Sequence, residues 1–154
     1  LGQHIFEYAL VPYQGSWLQA GVWEEADGYT RPLRCIRITG RGELPPTYSF
    51  LKVQPKELLV SAVKKAEDGE ALIVRLWNIA DREIKGCLIF HRRLAEAVET
   101  NLNEEEGEKL EVVNGMQVPL RVRGCELKTI KLIVVGGVPP QNSLSLPRVG
   151  SYCP

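Results

Sequence analysis

The sequence predicts an all-β domain: an antiparallel β-sandwich with one short helix near the N-terminus. Three observations point there. Beyond Pro32 the chain is a succession of short apolar runs, rich in β-branched residues and bounded by turn chemistry. Asp68-Gly69 and Asn114-Gly115 fall between such runs, and these residue types tolerate the positive φ of tight hairpin turns. Helical patterns do not alternate with the runs, as a parallel α/β sheet would require.

The elements follow in order. HIFEYALV, residues 4–11, alternates Ile5, Glu7 and Ala9 with His4, Phe6, Tyr8 and Leu10. That is the period of a strand whose more apolar face carries the aromatics, ended by Pro12. Ser16 and Gln19 have capping-box spacing, and Trp17, Gly21 and Glu24, with Leu18, Val22 and Ala26, continue at helical intervals to Gly28. Strands are then expected over Leu33 to Ile38, Tyr48 to Val53, Leu58 to Val63, Ala71 to Trp77 and Ile84 to Phe90. Three more follow over Leu110 to Val113, Met116 to Leu120 and Leu127 to Val135. Between two of these, LAEAVETNLNEEEGEKL sets Leu94, Val98 and Leu102 on a helical stripe with acidic residues opposite. Its position between strands leaves the extended form open. From Gly136 onward Gly, Pro, Ser and Asn dominate without periodicity. Residues 136–154 are therefore expected to be an irregular, solvated tail, with docking of Leu144 and Leu146 in an apolar groove as the alternative. Residues 1–135 are expected to form the domain.

At 154 residues and 44% apolar composition the chain suits one domain with its own core. Lys plus Arg number 19 and Asp plus Glu number 19, and phosphate binding needs a basic excess, so no nucleic-acid partner is expected. The longest clean apolar run, Leu132 to Val135 with its neighbours, falls far short of the roughly 20 residues of a membrane span. The chain starts at Leu1 and lacks a basic n-region before an apolar core. An excised, cytoplasmic piece of a longer protein is expected. Cys35, Cys87, Cys125 and Cys153 are irregularly spaced, which signals neither a zinc knuckle nor a redox dithiol; they are expected to be reduced and mostly buried.

Residue types that carry chemistry are scattered. His4 and His91 are far apart, each at an expected strand position and without clustered carboxylates, so no metal site is expected. Ser16 is explained by its cap, and Cys35, Cys87 and Cys125 lie in expected apolar strands, where burial makes a thiol inert. Adjacent carboxylates at Glu24-Glu25, Glu67-Asp68 and Glu104 to Glu106 resemble solvated faces more than a glycosidase acid and base pair. Gly40-Arg41-Gly42 precedes Pro45-Pro46 and no helix start, so it reads as a loop rather than a phosphate cradle. His91-Arg92-Arg93 is the densest basic cluster and reads as exposed strand-end charge, with a carboxylate or a neighbouring domain as the alternative partner. No catalytic residue is expected in this chain.

Aromatics carry the one binding expectation, because sugar C–H faces stack on exposed aromatic planes. Tyr13, Trp17, Trp23, Tyr29 and Trp77 are candidates, Trp77 reading as core at a strand end. Tyr13 and Trp17 flank the Gln14-Gly15 turn, where chain leaves strand for helix. Tyr13, Gln14 and Trp17 are thus the carbohydrate-binding candidates, the competing role being a staple that fixes the helix.

Three stretches together carry a resemblance. HIFEYALVPYQGSW, with Ala20 to Pro32 and Pro32-Leu33, is similar to a strand, a P-H-x-G-x-W turn and a helix leading into an N-x-P-L type step. FLKVQPKELLVSAVKKAEDGEALIVRLWN, residues 50–78, matches a run of Ser-Ala-x-Lys-Lys, an acidic turn with Gly, and Ile-Val-Arg-Leu followed by an aromatic and Asn. GCELKTIKLIV, residues 124–134, matches a closing strand with a Glu-x-x-Thr step. In this order they resemble the C-terminal β-rich domain of glycoside hydrolase family 38 α-mannosidases, over nearly all of residues 3–135. Tyr13 stands where that turn has His, so any role of the imidazole would be absent or altered here.

The resemblance implies that Ala95 to Glu105 is extended and leads to an acidic turn. It implies a retaining α-mannosidase whose Asp nucleophile and divalent metal, usually zinc, sit in an N-terminal catalytic domain that precedes this segment. No cofactor is then expected in this chain, and zinc or another divalent metal is expected in that domain. This chain would pack on the catalytic domain of the same polypeptide, serve a mannoside substrate through the full enzyme, and lend a loop to the rim of the sugar pocket. Separated from its partner it would expose an apolar face and pair with itself. The alternatives are a free-standing carbohydrate-binding or protein-interaction sandwich and, disfavoured by ligand count, a metalloenzyme using both His residues.

Overall fold

The computed structural model describes residues 2–37, 39–40 and 44–136. The described residues divide into two compact units, one within 2–39 and the other within 40–136.

In the first unit Ser16 starts a turn as its spacing suggests. The Gln19 N–H donates to Ser16 Oγ at 3.2 Å and the Ala20 N–H to the Ser16 carbonyl at 3.0 Å. The turn does not run on, because Gly21 adopts φ +69°, a left-handed value that interrupts a right-handed coil. Helix α1 (Val22–Thr30) begins after it. It therefore starts later than its sequence pattern and passes through Gly28. Glu24 and Glu25 sit in its first turn, where the positive end of the helix dipole favours them. The Arg31 N–H donates to the Asp27 carbonyl at 2.9 Å, and the Arg31 and Asp27 side chains pair.

Two expected strands are absent among the described residues. Residues 4–11 join no ladder, nor do residues 33–37; Ile38 lies outside the described residues. Apolar alternation marks a segment able to enter a sheet, but a strand persists only where an edge takes up its backbone groups. Cys35 is consequently exposed rather than buried.

The second unit is the predicted sandwich. Its strands are β1 (Leu51–Gln54), β2 (Leu58–Lys65), β3 (Leu72–Asn78), β4 (Ile84–Phe90), β5 (Leu94–Thr100), β6 (Glu106–Leu110), β7 (Gln117–Val122) and β8 (Leu127–Val134). They form a three-stranded sheet, β1-β4-β7, and a five-stranded sheet, β2-β3-β8-β5-β6, antiparallel throughout. β5 is extended despite its helical stripe, because β6 and β8 satisfy its backbone on both sides. Strand β6 ends where the Leu110 to Val113 run was expected to begin, and Val113 makes only an isolated bridge to Gln117. Asn114 and Gly115 both adopt positive φ, 53° and 69°, as a tight turn demands. The Asp68-Gly69 turn is looser than expected, closed by the Ala66 N–H on the Ala71 carbonyl at 2.9 Å.

Period-two packing builds the core. Val74, Leu76, Ala97, Ile130, Leu132 and Val134 face inward from the larger sheet, and Ile84, Leu88, Phe90, Val118, Leu120 and Val122 from the smaller. Trp77, expected in the core, lies on the opposite parity and is 45% exposed. Cys87 is half-buried, whereas Cys125 is exposed in the β7–β8 turn at φ +57°, correcting its assignment to a buried strand. Cys35, Cys87 and Cys125 are free thiols; Cys153 and the expected tail beyond Gly136 lie outside the described residues.

Two inward positions are not interchangeable with other core residues. At Gly86 a Cβ would overlap Leu58 and the Gln54 carbonyl, so β4 can approach those residues only without a side chain. Fully buried Asn78 donates through Nδ2 to the carbonyls of Arg82, Val122 and Arg123 at 2.8, 3.1 and 2.7 Å. Its Oδ1 accepts the Ala80 N–H at 3.0 Å. One amide thus satisfies carbonyls on both the β3–β4 connection and the end of β7.

Candidate functional site

In the first unit the Tyr13–Trp17 junction faces solvent. Tyr13 and Trp17 are 53% and 44% exposed, Gln14 is exposed, and Gly15 turns the chain between them at φ +82°. No strand precedes the turn, so the strand-to-helix junction expected there is a coil-to-helix one. Ala9 and Val11 line a small cleft of about 210 Å³ with Val22, Ala26 and Tyr29 of α1. Trp23 is half-buried, and its Nε1 has no partner among the described residues.

The sandwich unit holds a second place of chemical interest, which sequence reasoning missed. Glu99, Glu108 and Lys128 share the inward parity of Ala97, Leu110 and Ile130. Charge therefore enters the layer between the sheets. There a groove of about 520 Å³ is lined by these residues together with Gly86, Leu120 and Arg121. The Lys128 side chain is only 10% exposed; its Nζ lies 2.6 Å from Glu99 and 3.9 Å from Glu126. The groove lining sets two carboxylates and the Lys128 ammonium beside Leu110 and Leu120. The signal was legible in principle: charged residues fall in phase with core positions on β5, β6 and β8.

The other sequence candidates disperse. His91 follows β4 and makes edge contacts with Tyr48, Phe50 and Phe90, with Tyr48 Oη 3.5 Å from its Nδ1. Burial, and then the adjacent Arg92 charge, hold its pKa below the usual imidazole value, so it is neutral at pH 7. His4 belongs to the first unit. Among the described residues, no group of three or more His, Cys, Asp or Glu side chains is placed to hold a metal ion. The basic cluster turns toward the end of β8: Arg92 donates to the Val135 carbonyl at 3.4 Å, and the Arg93 carbonyl accepts the Val135 N–H at 2.9 Å. Gly40 has φ +109°, while Arg41 and Gly42 lie outside the described residues. No described helix is long and apolar enough to cross a membrane.

Comparison with known proteins gives these geometries a context. Residues 57–130, within the sandwich, match the glycosyl hydrolases family 38 C-terminal beta sandwich domain. A protein named as a candidate mannosylglycerate hydrolase from Halalkalibacterium halodurans is 27% identical over 131 residues, 84% of this chain and 14% of the relative. Alpha-mannosidase 2C1 of Mus musculus is 32% identical over 82 residues, 51% of this chain and 8% of the relative. The chain thus spans a small fraction of the length of both relatives.

Proposed function

With residues 57–130 forming a glycosyl hydrolases family 38 C-terminal beta sandwich domain, we propose that this chain is the non-catalytic C-terminal part of a retaining α-mannosidase. It packs on a catalytic domain of the same polypeptide, which supplies the nucleophile and a divalent metal, zinc by the family resemblance. The observation that carries the reading is the family match inside a sandwich whose relatives are far longer than this chain. The Tyr13–Gln14–Trp17 turn is the loop lent to the rim of the sugar site. Two exposed aromatic faces flank an exposed amide, a pairing that suits a hydroxylated ring with apolar C–H faces.

The test compares two proteins on an aryl α-mannoside with added zinc: the 154-residue chain and the polypeptide encoded by its complete reading frame. The longer protein is expected to turn over substrate and the chain alone is not. Appreciable turnover by the chain alone, or a reading frame without a catalytic domain, would overturn the assignment.

A further inference from the structure

The two sheets differ in how their charge is met. The strands of the smaller sheet, LKVQ, IKGCLIF and QVPLRV, hold Lys52, Lys85 and Arg121 and no Asp or Glu, although the chain balances 19 basic with 19 acidic residues. All three cations are exposed, on the parity opposite to buried Ile84, Leu88, Val118 and Leu120, so they share the outer face. None of them has an ion pair among the described residues. On the larger sheet Lys64, Lys109 and Lys128 lie 2.7, 2.7 and 2.6 Å from Glu104, Glu96 and Glu99. Lys85 and Arg121 are direct cross-strand partners, and like charges so placed repel unless an anion lies between them.

Two grooves meet at Lys85. One, of about 660 Å³, lies along the β1–β4 pair, and its lining, which includes Gln54, Lys56, Lys85 and Cys87, holds no acidic residue. The other is the groove of about 520 Å³ described above, which adds Arg121 from β7. Its carboxylates stand on the larger sheet, where Lys128 engages Glu99.

We propose that this face, centred on Lys85, is a binding site for a phosphate monoester of a small polar molecule. Such a phosphate carries about −1.5 to −2 charge at pH 7, which Lys85 and Arg121 together balance. The planar Arg121 fork suits two phosphate oxygens and Lys85 supplies a point charge. The acid-free groove has the volume of a small-molecule site and accommodates the body of the ester beside the exposed Gln54 amide. With both cations exposed, binding weakens as salt is added. Neither the charge nor the groove depends on the proposed function.

Two-dimensional NMR of the 154-residue chain at low ionic strength tests it, with inorganic phosphate, glucose 6-phosphate and glucose as titrants. Both phosphates are expected to shift the amides of residues 54–56, 85–87 and 120–122 saturably, and glucose is not. Lys85→Gln and Arg121→Gln should each weaken binding ~10-fold, whereas Lys52→Gln should change it by less than ~2-fold. Lys52 is the control because it removes the same charge from the same face, opposite Ile89 rather than beside Lys85. All three positions are exposed, so these variants keep the fold. Equal weakening by all three would show diffuse attraction and overturn the proposal. So would the lack of a saturable shift, equal shifts with glucose, or shifts with inorganic phosphate but none with the ester. Tighter binding of hexaglutamate than of either phosphate would also overturn it, by making an acidic protein surface the occupant.

Discussion

Glu104, in the β5–β6 turn, places its Oε1 2.7 Å from Lys64 Nζ on β2, so the acidic turn at one side of the five-stranded sheet is tied to the strand at its opposite edge. The same carboxylate accepts the Glu67 N–H at 2.8 Å through Oε2, and Lys64 also pairs with Glu67. The link passes over the outer face of β3 and β8, where Ala66, Ala71 and Ile73 form a small buried cluster with Ile133 against it. Asn101 aims the carboxylate: its Oδ1 accepts the N–H groups of Asn103 and Glu105 at 2.9 and 3.1 Å, and Glu104 adopts φ +66°. A cluster that reads in sequence as a solvated acidic face thus contains one side chain with a structural role.

The pH dependence of this link has a defined sign. Hydrogen bonds from Lys64 and then from the Glu67 backbone hold the Glu104 pKa below its usual 4.5, and bonds to Glu104 and Glu67 raise Lys64 above 10.5. A lowered carboxylate contributes stability above about pH 4.5 that is lost as pH falls through its folded value. A raised ammonium contributes below about pH 10.5 and loses that contribution as pH rises through its folded value. The melting-temperature difference between wild type and Glu104→Gln should be level from about pH 5 to pH 10 and shrink on either side. A difference unchanged down to pH 3 would show that charge plays no part.

Asn78→Ala removes the donor to three carbonyls and the acceptor for one N–H at a fully buried position. Unsatisfied buried groups cost about 1–3 kcal/mol each, so a loss of about 3 kcal/mol or more is expected in urea denaturation. A loss below about 1 kcal/mol would mean that water replaces the amide.

Gly86→Ala tests the close approach of β4 to Gln54 and Leu58. Leu58 can rotate, but the Gln54 carbonyl belongs to the backbone, so overpacking should cost about 1–3 kcal/mol. The same substitution at Gly28, whose added Cβ meets nothing within 4 Å in α1, should stabilise slightly, by about 1 kcal/mol or less. Chemical denaturation of both variants checks the contrast.

Sheet strands were legible wherever alternation met a partner within the chain: Ile84 to Phe90 is β4 as read. His4 to Val11 carries an equally clear period and forms no strand, because periodicity records readiness to pair and not the presence of an edge. Trp77 shows the limit at single positions. It ends an apolar run, yet the parity set by Leu76 and Asn78 turns it outward, and parity becomes certain only once register is known. The family resemblance implied an extended Ala95 to Glu105 where propensity alone favoured helix; the strand ends at Thr100, and residues 101–105 form the turn to β6. Tyr13, Gln14 and Trp17, sugar-binding candidates with a helix staple as the competing role, stand exposed at the turn, whereas the Glu99, Glu108 and Lys128 groove depends on which residues of three strands share a layer.

That groove makes a double-mutant prediction. Lys128→Met removes a nearly buried ammonium while keeping the stem, leaving inward-facing Glu99 and nearby Glu126 without their cation. Glu99 retains about a third of its exposure, so water offsets part of the loss, and a cost of about 1–2 kcal/mol is expected rather than the larger penalty of a sealed pair. Glu99→Gln should cost a similar amount, because Lys128 is the more deeply buried partner. The double variant should be less destabilised than the sum of the two by about 1 kcal/mol, since neither charge is then left alone. Urea denaturation of the four proteins measures this, and strict additivity would show that solvent already screens the pair.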